Sequence, residues 1–444
     1  MHNYLSEHNI TNEFHLERAG YLLGEITKFA TKQIKNFDPS SLETVRAKLR
    51  IRRCHKKQKM ISTQTLQQHQ TPFYYYDLEL LDKTLLALTK ESNKYGYHVH
   101  YAFKANTNSK ILERIRHFNL GADCVSGNEV KCAIENGFSS ENIVFAGVGK
   151  SDEEINYALD KNIFCFNCES LQELEVINEL AKAKNKTASI ALRINPNVDA
   201  HTHKYITTGL EENKFGINPY EFETVIALLK TLPHLKLIGL HFHIGSQITD
   251  LSPFKKLCSR VNEINTYFLN KGFDLPIINV GGGVGINYHE PDKEAIINFE
   301  NYFKVFADFL ELRKNQQLHF EIGRAIVAQC GSLISKVLYI KTGINTNFAI
   351  LDAGMTELIR PALYQAYHKI ENITSSITHH SSLITKKYDV VGPICESSDC
   401  FGKAVELPET KRGDLIAIRS AGAYGEVMAS RYNLRNEVKS IFSL

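Results

Sequence analysis

Eight short apolar runs recur through the middle of this chain, and stretches with helical periodicity separate most of them. The runs are HVHYAFKAN, GADCVS, IVFAG, IFCFNCES, ASIALRINP, LIGLHFHIG, IINVGGG and LHFEIGRAIV, beginning at His98 and ending at Val327. Between them, residues 151–160, 170–183, 252–270 and 293–314 space their apolar side chains three and four apart, as on one face of a helix. Parallel strands cannot be joined by tight turns and need crossovers, so a run, a helix and another run make a βαβ unit. An open doubly wound sheet is the rival arrangement. Eight units within about 230 residues predict closure into a (β/α)8 barrel of the TIM type.

The rhythm changes on both sides of this block. After Ser332 the segments SKVLYIKTG, FAILDAG, YDVVGPIC, AVELPE and GDLIAIRSAGAYG read as strands without long helices between them. The reading is therefore a barrel at residues 96–332 followed by a C-terminal β-rich domain at 333–444. Upstream, TPFYYYD reads as a strand and 79–95 as a helix, so residues 61–95 join the β-rich domain to the barrel. Residues 1–60 form an N-terminal extension of no assigned role.

Composition enters where it excludes partners. The extension ends in RAKLRIRRCHKKQK (46–59), a basic run in a chain whose net charge is only +3. It has no interleaved aromatic residues, so it reads as a solvated stretch, and no nucleic-acid partner is expected. No apolar run approaches a membrane span, and residues 1–20 carry Glu7, Glu13 and Glu17 without an apolar core, which argues against a secretory leader. Nine cysteines, an odd number, argue against a disulfide framework and for the cytoplasm. Cys165 and Cys168 form a lone C-x-x-C with no second ligand pair, so core packing is expected and no metal.

In a barrel the C-terminal ends of the strands share one mouth, where chemistry is expected. Those ends carry Lys104, Ser126, Arg193 with Asn195, His243 with Ser246, Gly281 to Gly283, and Glu321 with Arg324. Each has a bland reading: solvated charge, turn or surface ion pair. A lysine in such a mouth would be partly desolvated, which lowers its pKa and suits condensation with a carbonyl. The three glycines fail the dinucleotide fingerprint because Ile286 stands at its last position, but they would let backbone N–H groups approach a phosphate. His241 and His243 could be a metal pair, or one ring could lie in the core and one at the rim, flat against a cofactor. Glu321 could hold a pyridine nitrogen protonated. Together the parts suit pyridoxal 5'-phosphate.

The motifs YAFKAN, GADCVSGNE, LRINPNVDAHTHKYITTGLEENKFGI, GLHFHIGSQ, NVGGGVG, EIGR, RPALYQAYH, GPICESSD and GAYG go further. Through them the chain, from about Thr71 to Leu434, closely resembles the diaminopimelate decarboxylases, pyridoxal-phosphate enzymes of the alanine-racemase-like fold. That resemblance implies decarboxylation of meso-diaminopimelate to L-lysine and carbon dioxide. It implies that Lys104 carries the cofactor and that His243 stacks on its ring. Ser246, Gly281, Gly282 and Gly283 would lie near the phosphate. Glu321 would partner the pyridine nitrogen, and the loop Ile322-Gly323-Arg324 would help to hold the phosphate. Arg324, Arg360, Tyr364 and Glu396 would grip the far amino-acid end of the substrate. Cys395 would return the proton, and Tyr424 would touch cofactor and substrate. A homodimer is implied, with each Cys395 reaching the partner's site. The family's usual E-P-G-R reads E-I-G-R here, with Ile322 in place of proline. A sibling decarboxylase for another basic amino acid or for carboxynorspermidine, and a pyridoxal-phosphate-binding regulator without activity, are the other readings.

Overall fold

The computed structural model describes residues 66–198, 214–374 and 385–443. The extension, its basic run and part of the motif that follows Arg193 lie outside the described residues. The described chain enters through β1 (Phe73–Tyr76) and α1 (Leu78–Lys94) and then builds a closed barrel. Its parallel strands follow chain order: β2 (His98–Ala102), β3 (Gly121–Cys124), β4 (Ile143–Phe145), β5 (Cys165–Cys168), β6 (Ala188–Ile194), β7 (Leu235–Phe242), β8 (Ile277–Asn279) and β9 (Gln317–Ile322). Pairing of β9 with β2 closes the ring. Each of the eight apolar runs supplies one strand.

Among the described residues every crossover carries one α-helix. They are α2 (Ser109–His117), α3 (Gly127–Glu135), α4 (Asp152–Lys161), α5 (Leu171–Ala183), α6 (Phe222–Leu229), α7 (Ser252–Asn270) and α8 (Phe299–Phe309). Three of them start by the same local device. In SGNE, SDEE and SLQE the hydroxyls of Ser126, Ser151 and Ser170 accept from the backbone N–H three residues on, satisfying a donor that a helix start leaves orphaned. Only α8 is shorter than its periodicity, because the Asn298 side chain caps it at residue 299.

Strand side chains alternate, and the two faces of β9 show what that does. Phe320 points outward and meets Phe303 and Phe306 of α8 with ring centroids 5.0 and 4.9 Å away, near perpendicular. Such pairs contribute about 0.5–1.5 kcal/mol each beyond the area they bury. His319 and Glu321, on the other face, enter the barrel.

Among the described residues the second domain is an eight-stranded sheet built on the long strand β10 (Gly331–Thr342). β11 (Asn347–Leu351), β12 (Ile370–Asn372), β13 (Thr385–Val391), β14 (Cys400–Pro408) and β15 (Leu415–Ile418) complete its main path in the order β12-β15-β10-β11-β13-β14. β12 and β16 (Lys439–Phe442) carry no apolar run and do not stand out in the sequence. β1 pairs antiparallel with β10 and parallel with β16, so the strand that precedes the barrel belongs to the sheet that follows it. This also positions the mouth: Asn106, just after Lys104, donates to the Tyr76 hydroxyl at 2.8 Å and to the Gly422 carbonyl at 2.9 Å. Among the described residues no helix is long and apolar enough to cross a membrane.

Candidate active site

A cavity of about 1160 Å3 opens where the barrel strands end and the second domain covers them. Lys104, His243, Ser246, Gly283, Glu321, Ile322, Gly323, Arg324, Arg360, Tyr364 and Tyr424 line it. Gly281 and Gly282 are buried just behind that wall.

Glu321 forms its polar floor. One carboxylate oxygen accepts from the Asn167 and Asn279 amides at 3.0 and 2.8 Å, and the other meets His241 Nε2 at 2.9 Å. Burial opposes ionisation of this group, but the His241 and Lys104 charges and the His241 hydrogen bond outweigh it and hold the carboxyl well below the usual range. A carboxylate has about four lone-pair positions, and these contacts use three. One acceptor position is left for a donor in the cavity.

Lys104 follows β2 on a short 3-10 turn, and its ammonium lies 3.0 Å from Asp123 of β3. The expectation of a lowered lysine pKa is overturned here. Burial does push it down, but the carboxylate of Asp123, with Tyr424 and Glu321, pushes harder and raises it above the ordinary value. Asp123 in turn keeps one buried oxygen without a partner, facing the same group of charges.

His243 lies just past the end of β7, and its Nδ1 accepts from the Gly282 N–H at 3.3 Å. Burial first, and then the nearby Arg193 and Lys104 charges, hold it well below the usual histidine value, so the ring is neutral. His241 is the ring in the core. The glycine run makes this approach possible: Gly281 has φ +66°, and a Cβ at Gly282 would overlap the Glu321 carbonyl oxygen. Ile322 remains in the ladder opposite Tyr101 of β2, so E-I-G-R extends the strand to the edge of the cavity.

Two buried arginines occupy the other end. Arg324 begins the short helix α9 (Arg324–Val327) and donates to the Tyr288 hydroxyl at 2.7 Å and to Ser246 at 2.9 Å. Its guanidinium also lies 4.8 Å from the Tyr424 ring. Arg360 begins α10 (Arg360–Tyr364), is 6% exposed, and shares a 2.7 Å hydrogen bond with His368. Among the described residues neither guanidinium forms an ion pair with a carboxylate, which is unusual for buried charge. Tyr288 stands between them. Burial alone would raise its phenol, but the two guanidiniums more than offset that and lower it.

Tyr424 comes from the second domain, and its N–H donates to the carbonyl of Ala105 beside Lys104 at 2.8 Å. It sits at φ +56°, a backbone conformation that costs a non-glycine residue energy. Cys395 and Glu396 do not join this cavity. Asp399 accepts from the N–H groups of Ile394 and Met355 and pins their loop, which leaves both residues exposed at its tip. There Asn433 and Tyr432 hold them, through the Cys395 N–H and a Glu396 oxygen 2.7 Å away.

Three strand-end residues serve the scaffold instead. Ser126 caps α3, Arg193 pairs with Glu169 at 2.5 Å, and Asn195 accepts from the Asn197 N–H. Sequence reasoning missed Asp123, Asn167, Asn279 and Tyr288. The first three had a signal, since each is a polar residue inside a strand that is otherwise buried and apolar. Tyr288 lies in a loop and had none.

Residues 81–328 match the pyridoxal-binding domain of the pyridoxal-dependent decarboxylases. The chain is 59% identical over 375 residues to the diaminopimelate decarboxylase of Bacteroides thetaiotaomicron, covering 84% of this chain and 96% of that one. It is 43% identical to a diaminopimelate decarboxylase of Helicobacter pylori, over 83% and 89% of the two chains. A crystal structure of the Helicobacter pylori enzyme complexed with L-lysine superposes with a TM-score of 0.79 at 42% identity, covering 86% of this chain and 94% of that one. With the closed barrel, the second sheet and the lysine-bearing cavity, these likenesses lead to one assignment: the chain belongs to the diaminopimelate decarboxylase family of pyridoxal-dependent decarboxylases.

Proposed function

We propose that this cavity decarboxylates meso-diaminopimelate to L-lysine and carbon dioxide, with pyridoxal 5'-phosphate held at Lys104. The observation that carries the reading is the pair of buried arginines without carboxylate partners, in the same cavity as a lysine and an ionised glutamate. The substrate has two amino-acid ends, one of which reacts. Arg324 and Arg360 suit the unreactive end, because each can bind its carboxylate by charge-assisted hydrogen bonds in a site already shielded from water. A diamine-forming decarboxylase needs acid at that position instead.

The residues present fit the cofactor. Lys104 supplies the amine, and Asp123 is the base-side partner that can take up its proton. Glu321 keeps one acceptor position for a protonated ring nitrogen. The neutral ring of His243 can lie flat against an aromatic face, and Gly281 to Gly283 with Ser246, Gly323 and Arg324 form a rim without bulky side chains for a phosphate. Bound pyridoxal phosphate supplies an electron sink for the negative charge left on the α-carbon when carbon dioxide departs. The α-carbon must then gain a proton. Cys395 suits that step, its S–H bond breaking as the C–H bond forms, with the thiol restored from solvent.

Cys395 and Glu396 do not line their own chain's cavity, and they sit exposed on a pinned loop. Both facts support a two-fold homodimer in which each tip completes the partner's site, Glu396 gripping the distal ammonium and Tyr364 the same end of the substrate.

Carbon dioxide release from diaminopimelate, ornithine and lysine tests the substrate, and Lys104→Ala tests the cofactor site. The purified wild type is expected to show visible absorbance that borohydride removes, and the variant to lack it. Covalent cofactor in Lys104→Ala, or equal rates on ornithine and diaminopimelate, would overturn the reading.

A further inference from the structure

We propose that Tyr288 and His368 are positioning residues for the arginine pair, aiming Arg324 and Arg360 at the substrate without neutralising either. This rests on the reading that the two arginines grip the distal end of the substrate.

Arginine side chains are long, and two like charges buried in one cavity repel one another. Something must fix their directions, and among the described residues no carboxylate does. Tyr288 touches both. Its hydroxyl accepts from Arg324 at 2.7 Å, and its ring lies 5.2 Å from the Arg360 guanidinium. His368 holds Arg360 from the other side. Its Nδ1 is 2.8 Å from the Arg419 carbonyl, which can only accept, so Nδ1 carries the proton. Burial, then the Arg360 charge, hold this imidazole down at about 3, so the ring is neutral and Nε2 is bare. That bare nitrogen accepts from Arg360 at 2.7 Å.

The support is continuous. Arg419 is anchored by Glu371 and Asp292, each at 2.7 Å, and the Tyr288 and His368 rings meet edge to face at 5.2 Å. Neutral acceptors matter here. A carboxylate at either position would pair with its arginine and compete with the carboxylate of the substrate, whereas a phenol and an imidazole orient the guanidinium and leave its charge available.

The test uses cofactor-loaded Tyr288→Phe, His368→Phe and His368→Gln with diaminopimelate as substrate. The first two should raise KM about tenfold or more while kcat stays within about threefold. The glutamine amide can both accept from Arg360 and donate to the Arg419 carbonyl, so His368→Gln should bring KM back to within about threefold of wild type. Circular dichroism and cofactor absorbance establish that the variants are folded and loaded. Unchanged KM in folded Tyr288→Phe and His368→Phe overturns the proposal. Should His368→Phe not fold, Tyr288→Phe decides alone, by the same criterion. Arg360→Ala separates the two levels: if it raises KM and the positioning variants do not, the clamp stands and this inference fails. If none of them moves KM, the clamp reading has failed as well.

Discussion

A mixing experiment tests the shared site most directly. Lys104 lines the cavity of its own chain, while Cys395 is exposed on a loop outside it, so the two lesions should complement across subunits. Neither Lys104→Ala nor Cys395→Ala can form a competent site with its own kind. In a mixed dimer, the barrel of the Cys395→Ala chain keeps its lysine and receives an intact cysteine from the other chain. The second site of that dimer has neither residue. Random exchange of equal amounts makes about half the dimers mixed, with one intact site of two, so about a quarter of all sites recover. Carbon dioxide release should therefore climb from the two low baselines toward about a quarter of the wild-type specific activity as subunits exchange. Native mass spectrometry follows the mixed dimer over the same period. If both residues came from one chain, every site would keep a lesion. A flat activity trace with mixed dimers present would refute the cross-chain placement of Cys395.

Three further outcomes are expected. Arg360→Ala removes a buried charge-assisted contact and should cost on the order of 2–5 kcal/mol in kcat/KM for diaminopimelate, read from steady-state kinetics. At the opposite end of the barrel His100 is buried against His319 and the Asn142 carbonyl, and burial holds its pKa down at about 4 against an ordinary 6.5. Its folded pKa is depressed, so its contribution is complete above 6.5 and is lost as pH falls toward 4, up to roughly 3 kcal/mol. Urea midpoints between about pH 7 and 5 should fall less steeply for His100→Gln than for wild type, and parallel slopes would contradict this. Gly282→Ala should destabilise by about 1–3 kcal/mol because its Cβ meets the Glu321 backbone, whereas Gly149→Ala, with open space around it, should be near neutral in the same denaturation assay.

The barrel was legible because its signal is local. Each strand is a short apolar run, and four of the crossover segments space their apolar side chains with a helical period. The glycine run and the charged strand ends were readable for the same reason, since a parallel barrel brings all its strand ends to one rim. The strands β12 and β16 were not, because Ile-Glu-Asn and Lys-Ser-Ile-Phe carry no apolar run that would separate them from a loop.

What the sequence by itself determined is the order of strands and helices, the family motifs, and the residue types available at the mouth. Tertiary structure decided the electrostatics. The Lys104 pKa moves up rather than down because Asp123, from the next strand, lies 3.0 Å away. Glu321 stays ionised because His241, from β7, and Lys104, from the turn after β2, act on it more strongly than burial does. It also decided that Tyr288 and His368, remote in sequence from each other, support one pair of arginines, and that Cys395 lies outside the cavity of its own chain. Local pattern can specify which face of a strand is buried. A pKa or a partnership depends on distances between residues far apart in the chain, and those exist only once the barrel has closed and the second domain has covered it.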